Sequence, residues 1–222
     1  MSKVMVVAPH PDDETLGCGG TLLKHKELGD DIHWLIITSI TEKLGFSQDR
    51  MQSRINEIEK VSNLYGFTSV HNLGLPTTHL DAIPINEIVA EIGRVFQTEQ
   101  PEIVYIPYRG DVHTDHKFVF DAVVSCTKWF RYPFIKRVLA YETLSETDFG
   151  LNPDTNGFRP NVFVDITNFL DQKINIMEIF RSEISEHPFP RSKKAITALA
   201  HLRGAAAGSH AAEAFMLLKE MW

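Results

Sequence analysis

The feature that most constrains the fold is a short, nearly all-apolar run at residues 4–8, which stops at a group of polar residues. Such a run is typical of a strand buried on both faces of a parallel sheet. Helical periodicity follows over residues 15–28 and ends at Gly29, a common C-terminal signal. The same alternation of strand and helix recurs along the chain, which predicts a mostly parallel sheet covered by helices.

Four further strands are predicted over residues 32–38, 69–73, 102–107 and 137–143, and further helices over 47–65, 85–97 and around Val119 and Val123. We therefore predict an α/β fold, a Rossmann-like three-layer sandwich whose first five strands take the order 3-2-1-4-5. Residues 162–166 are predicted as a late edge strand. Residues 168–184 and 192–221 are predicted as largely helical, with a break at 204–209. No linker divides the sequence, so residues 1–222 are expected to form one domain.

Composition excludes several classes of partner. A net charge of −7 argues against nucleic-acid binding, which needs a basic face, and no apolar stretch is long enough to cross a membrane. The run at residues 4–8 is too short for the apolar part of a signal peptide. Cys18 and Cys126 suggest no disulfide framework and are expected to be buried free thiols. These observations predict a cytoplasmic location and leave a homo-oligomer open.

The polar group after the first strand contains His10, Asp12, Asp13 and Glu14. Open α/β sheets bind their ligands at the carboxyl ends of the strands, which is where this group falls. A helix cap needs only one such residue, so capping does not account for the histidine and a second aspartate. The sequence predicts a metal site here. Two roles remain open for Glu14: it could form a hydrogen bond to a metal ligand, or it could support the start of the helix.

A second group, His113, Asp115 and His116, follows the fourth predicted strand. In the order 3-2-1-4-5 the first and fourth strands are neighbours, so the two groups meet at one edge of the sheet. Two histidines and one carboxylate with an open position make a catalytic zinc site or a non-heme iron(II) site. Spacing from His10 favours Asp13 as a ligand, whereas either His113 or His116 could reach the metal.

The two groups give the chain a resemblance to a known family, the PIG-L/LmbE-like zinc-dependent N-deacetylases. Residues 10–14 match the family's His-Pro-Asp-Asp-Glu motif, and residues 113–116 match its His-x-Asp-His motif. Weaker similarities extend over nearly the whole chain, including an Arg-x-x-Glu pair at Arg54 and an Ala-Glu-x-Phe segment at residues 212–215. Ala211 stands where the family often has tyrosine, which is a departure from the pattern.

The resemblance implies one Zn²⁺ per chain, other divalent metals being open, held by His10, Asp13 and His116. It also implies that Asp12 is the general base. His113 would lie beside the zinc as an imidazolium that stabilises the oxyanion or protonates the amine. Asp115 suits the role of orienting His113 and raising its pKa.

Two arginines are candidates for substrate binding. Arg54 either contacts substrate or forms a surface ion pair with Glu57, and Arg109 lies just after the fourth predicted strand. The substrate expected from the resemblance is a small N-acetylated amino sugar, GlcNAc-like, or its conjugate. A metal-dependent amidase for another small N-acyl compound is the alternative.

A third alternative is a non-catalytic metal-binding or nucleotide-binding domain. The glycines at positions 17, 19 and 20 are not in the turn where a dinucleotide fingerprint needs them, and they are predicted to allow close packing of a helix on the sheet. The presence of Asp12 and His113, which a structural metal site does not require, favours an enzyme.

Overall fold

The computed structural model describes residues 1–151 and 157–222. Its strands are β1 (Lys3–Ala8), β2 (Asp31–Ser39), β3 (Ser69–Pro76), β4 (Ile103–Pro107), β5 (Arg137–Tyr141), β6 (Val162–Asp165) and β7 (Ala212–Glu220). Its α-helices are α1 (Asp13–Glu27), α2 (Gln48–Tyr65), α3 (Ile85–Glu99), α4 (Thr114–Ser125), α5 (Leu170–Met177) and α6 (Lys193–Ala207).

The strands form one sheet in the order β3-β2-β1-β4-β5-β7-β6. The pairs from β3 to β5 are parallel, and β7 runs antiparallel to both of its neighbours. The predicted order 3-2-1-4-5 and the late edge strand, β6, are therefore confirmed. Because β1 and β4 are parallel neighbours, the segments that follow them leave the sheet at the same edge.

Alternate residues of β1 contribute to two separate cores. Val4 and Val6 pack with α1, α2, α5 and α6, whereas Met5 and Val7 pack with α3 and α4. This is the arrangement expected of a strand buried on both faces. It confirms the three-layer sandwich, with helices on each side of the sheet.

The end of the chain differs from the prediction. Helix α6 ends at Ala207, with Gly208 in a left-handed conformation at φ +76°, and the predicted helix over 192–221 is wrong beyond that point. The last segment is instead β7, which pairs with β5 and β6. Its apolar run over residues 214–218 suits a strand as well as a helix, so periodicity could not separate the two. Helix α5 is also shorter than the predicted 168–184.

The small residues of α1 allow close packing, as predicted. A Cβ atom at Gly17 would lie 2.2 Å from Cδ2 of Tyr141, whose hydroxyl donates to the carbonyl of Val7 at 2.9 Å. Cys18 and Cys126 are buried free thiols, which also confirms the prediction. Among the described residues, no helix combines the length and apolar character needed to span a bilayer.

Candidate metal centre and active site

The two histidine motifs meet at the carboxyl ends of β1 and β4. Nε2 of His10 lies 3.0 Å from Oδ2 of Asp115, and Nε2 of His116 lies 3.3 Å from Oδ2 of Asp13. The ring centroids of His10 and His113 are 4.5 Å apart. The structure thus brings together the six residues for which sequence analysis predicted catalytic or metal-binding roles.

Two groups of these residues have the geometry to hold a metal ion. In the first, His10, Asp13 and His116 each offer one ligand atom, and these atoms lie within 4.8 Å of one another. In the second, the same limit is met by His10, His113 and Asp115. Both groups contain two imidazoles and one carboxylate, the donor set that suits zinc or iron(II) with an open position.

His116 shows the surroundings of a metal ligand. Its Nδ1 lies 2.7 Å from Oδ2 of Asp111, and Thr147 donates to the other oxygen of that carboxylate at 2.6 Å. Its Nε2 is buried and has no hydrogen-bond partner among the described residues. Metal-binding histidines commonly use one ring nitrogen for a carboxylate and leave the other for the metal. The first group therefore fits a divalent ion.

Buried charges alter the pKa values of this group. Burial lowers the pKa of His10, but its hydrogen bonds to the carboxylates of Asp115 and Asp13 outweigh that effect and raise the pKa to about 9. Burial raises the pKa of Asp13, yet the neighbouring His116 and His10 hold it well below its usual range. A metal ion at this position competes with protons for the same atoms.

Asp12 lies beside the first group but belongs to neither group. It is buried, and its φ of 144° is a backbone conformation that residues other than glycine rarely adopt. Glu14 stabilises this turn, because its carboxylate accepts from the Asp12 N–H at 3.0 Å and from the Thr15 hydroxyl at 2.6 Å. Of the two roles left open for Glu14, these contacts match support for the helix start.

The pKa of Asp12 is raised to about 7, first by burial and then by the negative charges of Asp13 and Glu183. Arg191 opposes this rise, and its Nη1 lies 3.2 Å from Oδ2 of Asp12. A carboxylate that lies outside the candidate ligand groups and whose pKa lies near neutrality is suited to accept and return a proton.

His113 differs from the imidazolium that the sequence led us to expect. Burial, followed by the charges of His10 and His116, lowers its pKa to about 4. Its Nδ1 accepts from the backbone N–H of Asp115 at 3.1 Å, so the proton of the neutral ring is on Nε2. The structure therefore favours His113 as a neutral hydrogen-bond donor.

The contacts of Asp115 also differ from the expected one, in which its carboxylate orients His113. Its Oδ2 lies 3.0 Å from Nε2 of His10 and accepts from the N–H of Thr78 at 2.7 Å. The carboxylate of Asp115 is thus directed to His10, while its backbone N–H orients His113. The local spacing could not distinguish these arrangements, because they depend on how the segments after β1, β3 and β4 pack together.

A cavity of about 630 Å³ opens onto these residues, and His10, Asp12, Asp13 and His113 are part of its lining. Arg54 also lines it, donates to the carbonyl of Pro11 at 2.5 Å and pairs with Glu57 and Glu183. The predicted pair with Glu57 exists, but it lies at the site and is largely buried. Arg109 is placed elsewhere: its side chain is 60% exposed and pairs with Asp121.

Sequence analysis did not single out three residues that contact the site. Asp111 had a usable signal, because it precedes His116 by five residues in the segment that links β4 to α4. Arg191 and Glu183 come from the turn-rich segment between α5 and α6, far from either motif. No local pattern associates them with Asp12, so only the tertiary structure reveals the contact.

The fold and the site define a class of α/β protein that carries a candidate metal centre at the carboxyl ends of adjacent parallel strands. The chain belongs to the PIG-L family, since the model of that family, described as GlcNAc-PI de-N-acetylase, matches residues 5–127. This confirms the resemblance found in the two histidine motifs.

Known proteins agree with this assignment. The chain is 27% identical over 202 residues to a diacetylchitobiose deacetylase of Thermococcus kodakarensis, covering 84% of this chain and 72% of that protein. The crystal structure of a conserved protein from Thermus thermophilus is 27% identical with a TM-score of 0.79, covering 100% of this chain and 97% of that one. An N,N'-diacetylchitobiose deacetylase from Pyrococcus horikoshii, 20% identical, shares the fold with a TM-score of 0.77 over 98% of this chain and 84% of that one.

Proposed function

We propose that this protein is a zinc-dependent N-deacetylase that removes the acetyl group from the amide nitrogen of an N-acetylated amino sugar or its conjugate. The observation that carries the proposal is a buried carboxylate, Asp12, beside the group of His10, Asp13 and His116 on the wall of a cavity. Membership of the PIG-L family and the similarity to a diacetylchitobiose deacetylase support both the reaction and the sugar class.

In this proposal His10, Asp13 and His116 hold the metal, and the carboxylate of Asp111 orients His116. Zinc supplies a Lewis acid, which lowers the pKa of a water ligand to about 7 and polarises an amide carbonyl. The hydrogen bond between Asp115 and His10 orients the other imidazole ligand.

Asp12 is the general base. It accepts a proton from the attacking water as the oxygen bonds to the acetyl carbon, and it returns that proton to the nitrogen as the C–N bond breaks. Its position is held by the contact with Arg191 and by the bond from its N–H to Glu14. Proton transfer through one residue accounts for both products, the free amine and acetic acid, which ionises to acetate in water.

His113 acts as the oxyanion donor. With its Nδ1 occupied by the Asp115 N–H, its Nε2–H is the proton available for a hydrogen bond. Such a donor stabilises the negative charge that develops on the carbonyl oxygen in the transition state. Of the two arginines that the sequence analysis proposed for substrate binding, Arg54 lines the cavity and is in position to contact the sugar.

The test is acetate release by the zinc-loaded protein. The panel contains N-acetylglucosamine, N,N'-diacetylchitobiose and N-acetylated amino acids, with Asp12→Asn as the negative control. Release from the amino sugars alone is the expected result. Preferential release from the amino acids would contradict the sugar class, and no release from any compound would contradict the deacetylase function.

A further inference from the structure

One wall of the catalytic cavity is apolar, although no step of the proposed reaction uses it. We name this the apolar wall and define it as Ile40, Phe46, Met51, Ile55 and Ile58, all of which line the cavity that contains His10 and Asp12. Residues 51, 55 and 58 belong to α2 and are spaced by four and three residues, so they share one face of that helix.

Packing of the fold does not account for the whole wall. The buried positions of α2 are Glu57, Val61 and Tyr65, and of the wall residues only Ile58 packs against the core. Ile55 remains 56% exposed at the cavity. Single exposed apolar residues are ordinary, but a contiguous set beside polar groups is typical of a ligand site.

We infer that the apolar wall binds an uncharged apolar aglycone, so that the substrates are glycosides of an N-acetylated amino sugar with an alkyl or aryl group. This inference rests on the proposed function. An acetyl group has a single methyl and cannot cover five side chains, and a sugar ring is largely polar. Cavities of roughly 300–1,000 Å³ enclose drug-sized ligands, so one of about 630 Å³ has room for more than one sugar.

The charges of the cavity favour an uncharged aglycone over an anionic one. Three arginines of the described chain line the cavity, and each is already paired: Arg50 and Arg54 with Glu57 and Glu183, and Arg191 with Asp12 and Glu183. A phosphate or carboxylate on the substrate would have to displace these partners and leave a buried carboxylate unpaired, which is costly. The apolar side chains have no such competitor.

The experiment compares the methyl and benzyl β-glycosides of N-acetylglucosamine as substrates of the zinc-loaded protein. The benzyl glycoside is expected to have a kcat/KM about 10-fold higher, mainly through a lower KM, because the ring is bound equally in the ground and transition states. Ile55→Gln is expected to reduce this preference about threefold or more. Leu64→Gln is the matched control, since Leu64 is also exposed on α2 but does not line the cavity.

Three outcomes would overturn the inference while leaving the proposed deacetylase function intact. Equal kcat/KM values for the two glycosides would contradict an aglycone site. A higher kcat/KM for N-butanoylglucosamine than for N-acetylglucosamine, if Ile55→Gln abolishes the difference, would show that the apolar wall binds the acyl group instead. A higher kcat/KM for N-acetylglucosamine 6-phosphate than for the benzyl glycoside would show that the paired arginines bind anions. If neither glycoside releases acetate, the proposed function fails, and this inference fails with it.

Discussion

Arg191 contacts Asp12 directly, with Nη1 3.2 Å from Oδ2, although 179 residues separate them in the sequence. The contact holds the carboxylate of Asp12 next to the first group of candidate metal ligands. Asp13, its neighbour in the chain, faces the other two members of that group, His10 and His116. Two adjacent aspartates thereby acquire different surroundings. That difference leads to the first prediction.

Asp12→Asn should leave metal content and fold intact and lower kcat by about 10²–10⁴-fold, the usual contribution of a general base. Asparagine has the same shape as aspartate, so this substitution adds no steric demand to the backbone conformation that Asp12 already adopts. Acetate release at saturating substrate and metal analysis of the same sample measure the two effects. Asp121→Asn, at the exposed partner of Arg109, is the control. A variant that keeps more than half of its activity would eliminate Asp12 as the base.

Metal analysis of single variants should distinguish the two candidate groups. The protein should bind about one equivalent of zinc. His116→Ala should lose most of it, because that imidazole belongs to the first group, and His113→Ala should retain it. His201→Ala, at an exposed position on α6, controls for non-specific loss. The reverse result, with loss only in His113→Ala, would assign the metal to the second group.

Lys173→Met should destabilise the fold by about 3–5 kcal/mol, the usual cost of removing one partner from a buried ion pair. The Lys173 ammonium donates to Glu213 at 2.6 Å and to the carbonyl of Leu16 at 2.8 Å. Glu213 in turn accepts from the N–H groups of Gly20 and Thr21 in α1, so the pair joins α1, α5 and β7.

Denaturant unfolding measures this effect. Lys193→Met is the matched control, because Lys193 pairs with Glu178 at the same 2.6 Å distance but is 58% exposed. That variant should change the free energy of unfolding by less than about 1 kcal/mol. Equal changes in the free energy of unfolding for the two substitutions would show that burial does not make the Lys173–Glu213 ion pair more important for stability.

Asp30 should make folding stability dependent on pH in the acid range. Burial raises its pKa, but the N–H of Ser2 at 2.7 Å and the imidazole of His25 at 2.8 Å have the larger combined effect and lower it. The pKa of aspartate in the unfolded state is about 3.9, and that of Asp30 in the folded state is lower. The resulting stabilisation is fully present above the unfolded pKa and is lost as the pH falls through the folded pKa.

Asp30→Asn should therefore lower the free energy of unfolding by about 1 kcal/mol at pH 7 and by less at pH 3. Urea unfolding at both pH values measures the difference. Asp81→Asn, at an exposed position, should show no such change with pH. A constant effect of Asp30→Asn at both pH values would mean that its hydrogen bonds do not depend on ionisation.

Local sequence was sufficient where a structure depends on neighbouring residues. The apolar run at residues 4–8 forms β1, and Gly29 and Gly66 follow the helices α1 and α2 at their predicted ends. It was insufficient for β7, because an apolar segment such as residues 214–218 satisfies a helix or a strand equally well. Pairing with β5 and β6 decides between them.

The same division holds at the site. The sequence by itself determined which residue types meet, because motifs at the ends of parallel neighbouring strands must converge on one edge of the sheet. Only the tertiary structure decided how those side chains pair: Asp115 with His10, Arg191 with Asp12, and the His113 ring with a backbone N–H. These contacts join segments distant in sequence or depend on side-chain orientation, and neither spacing nor composition carries that information.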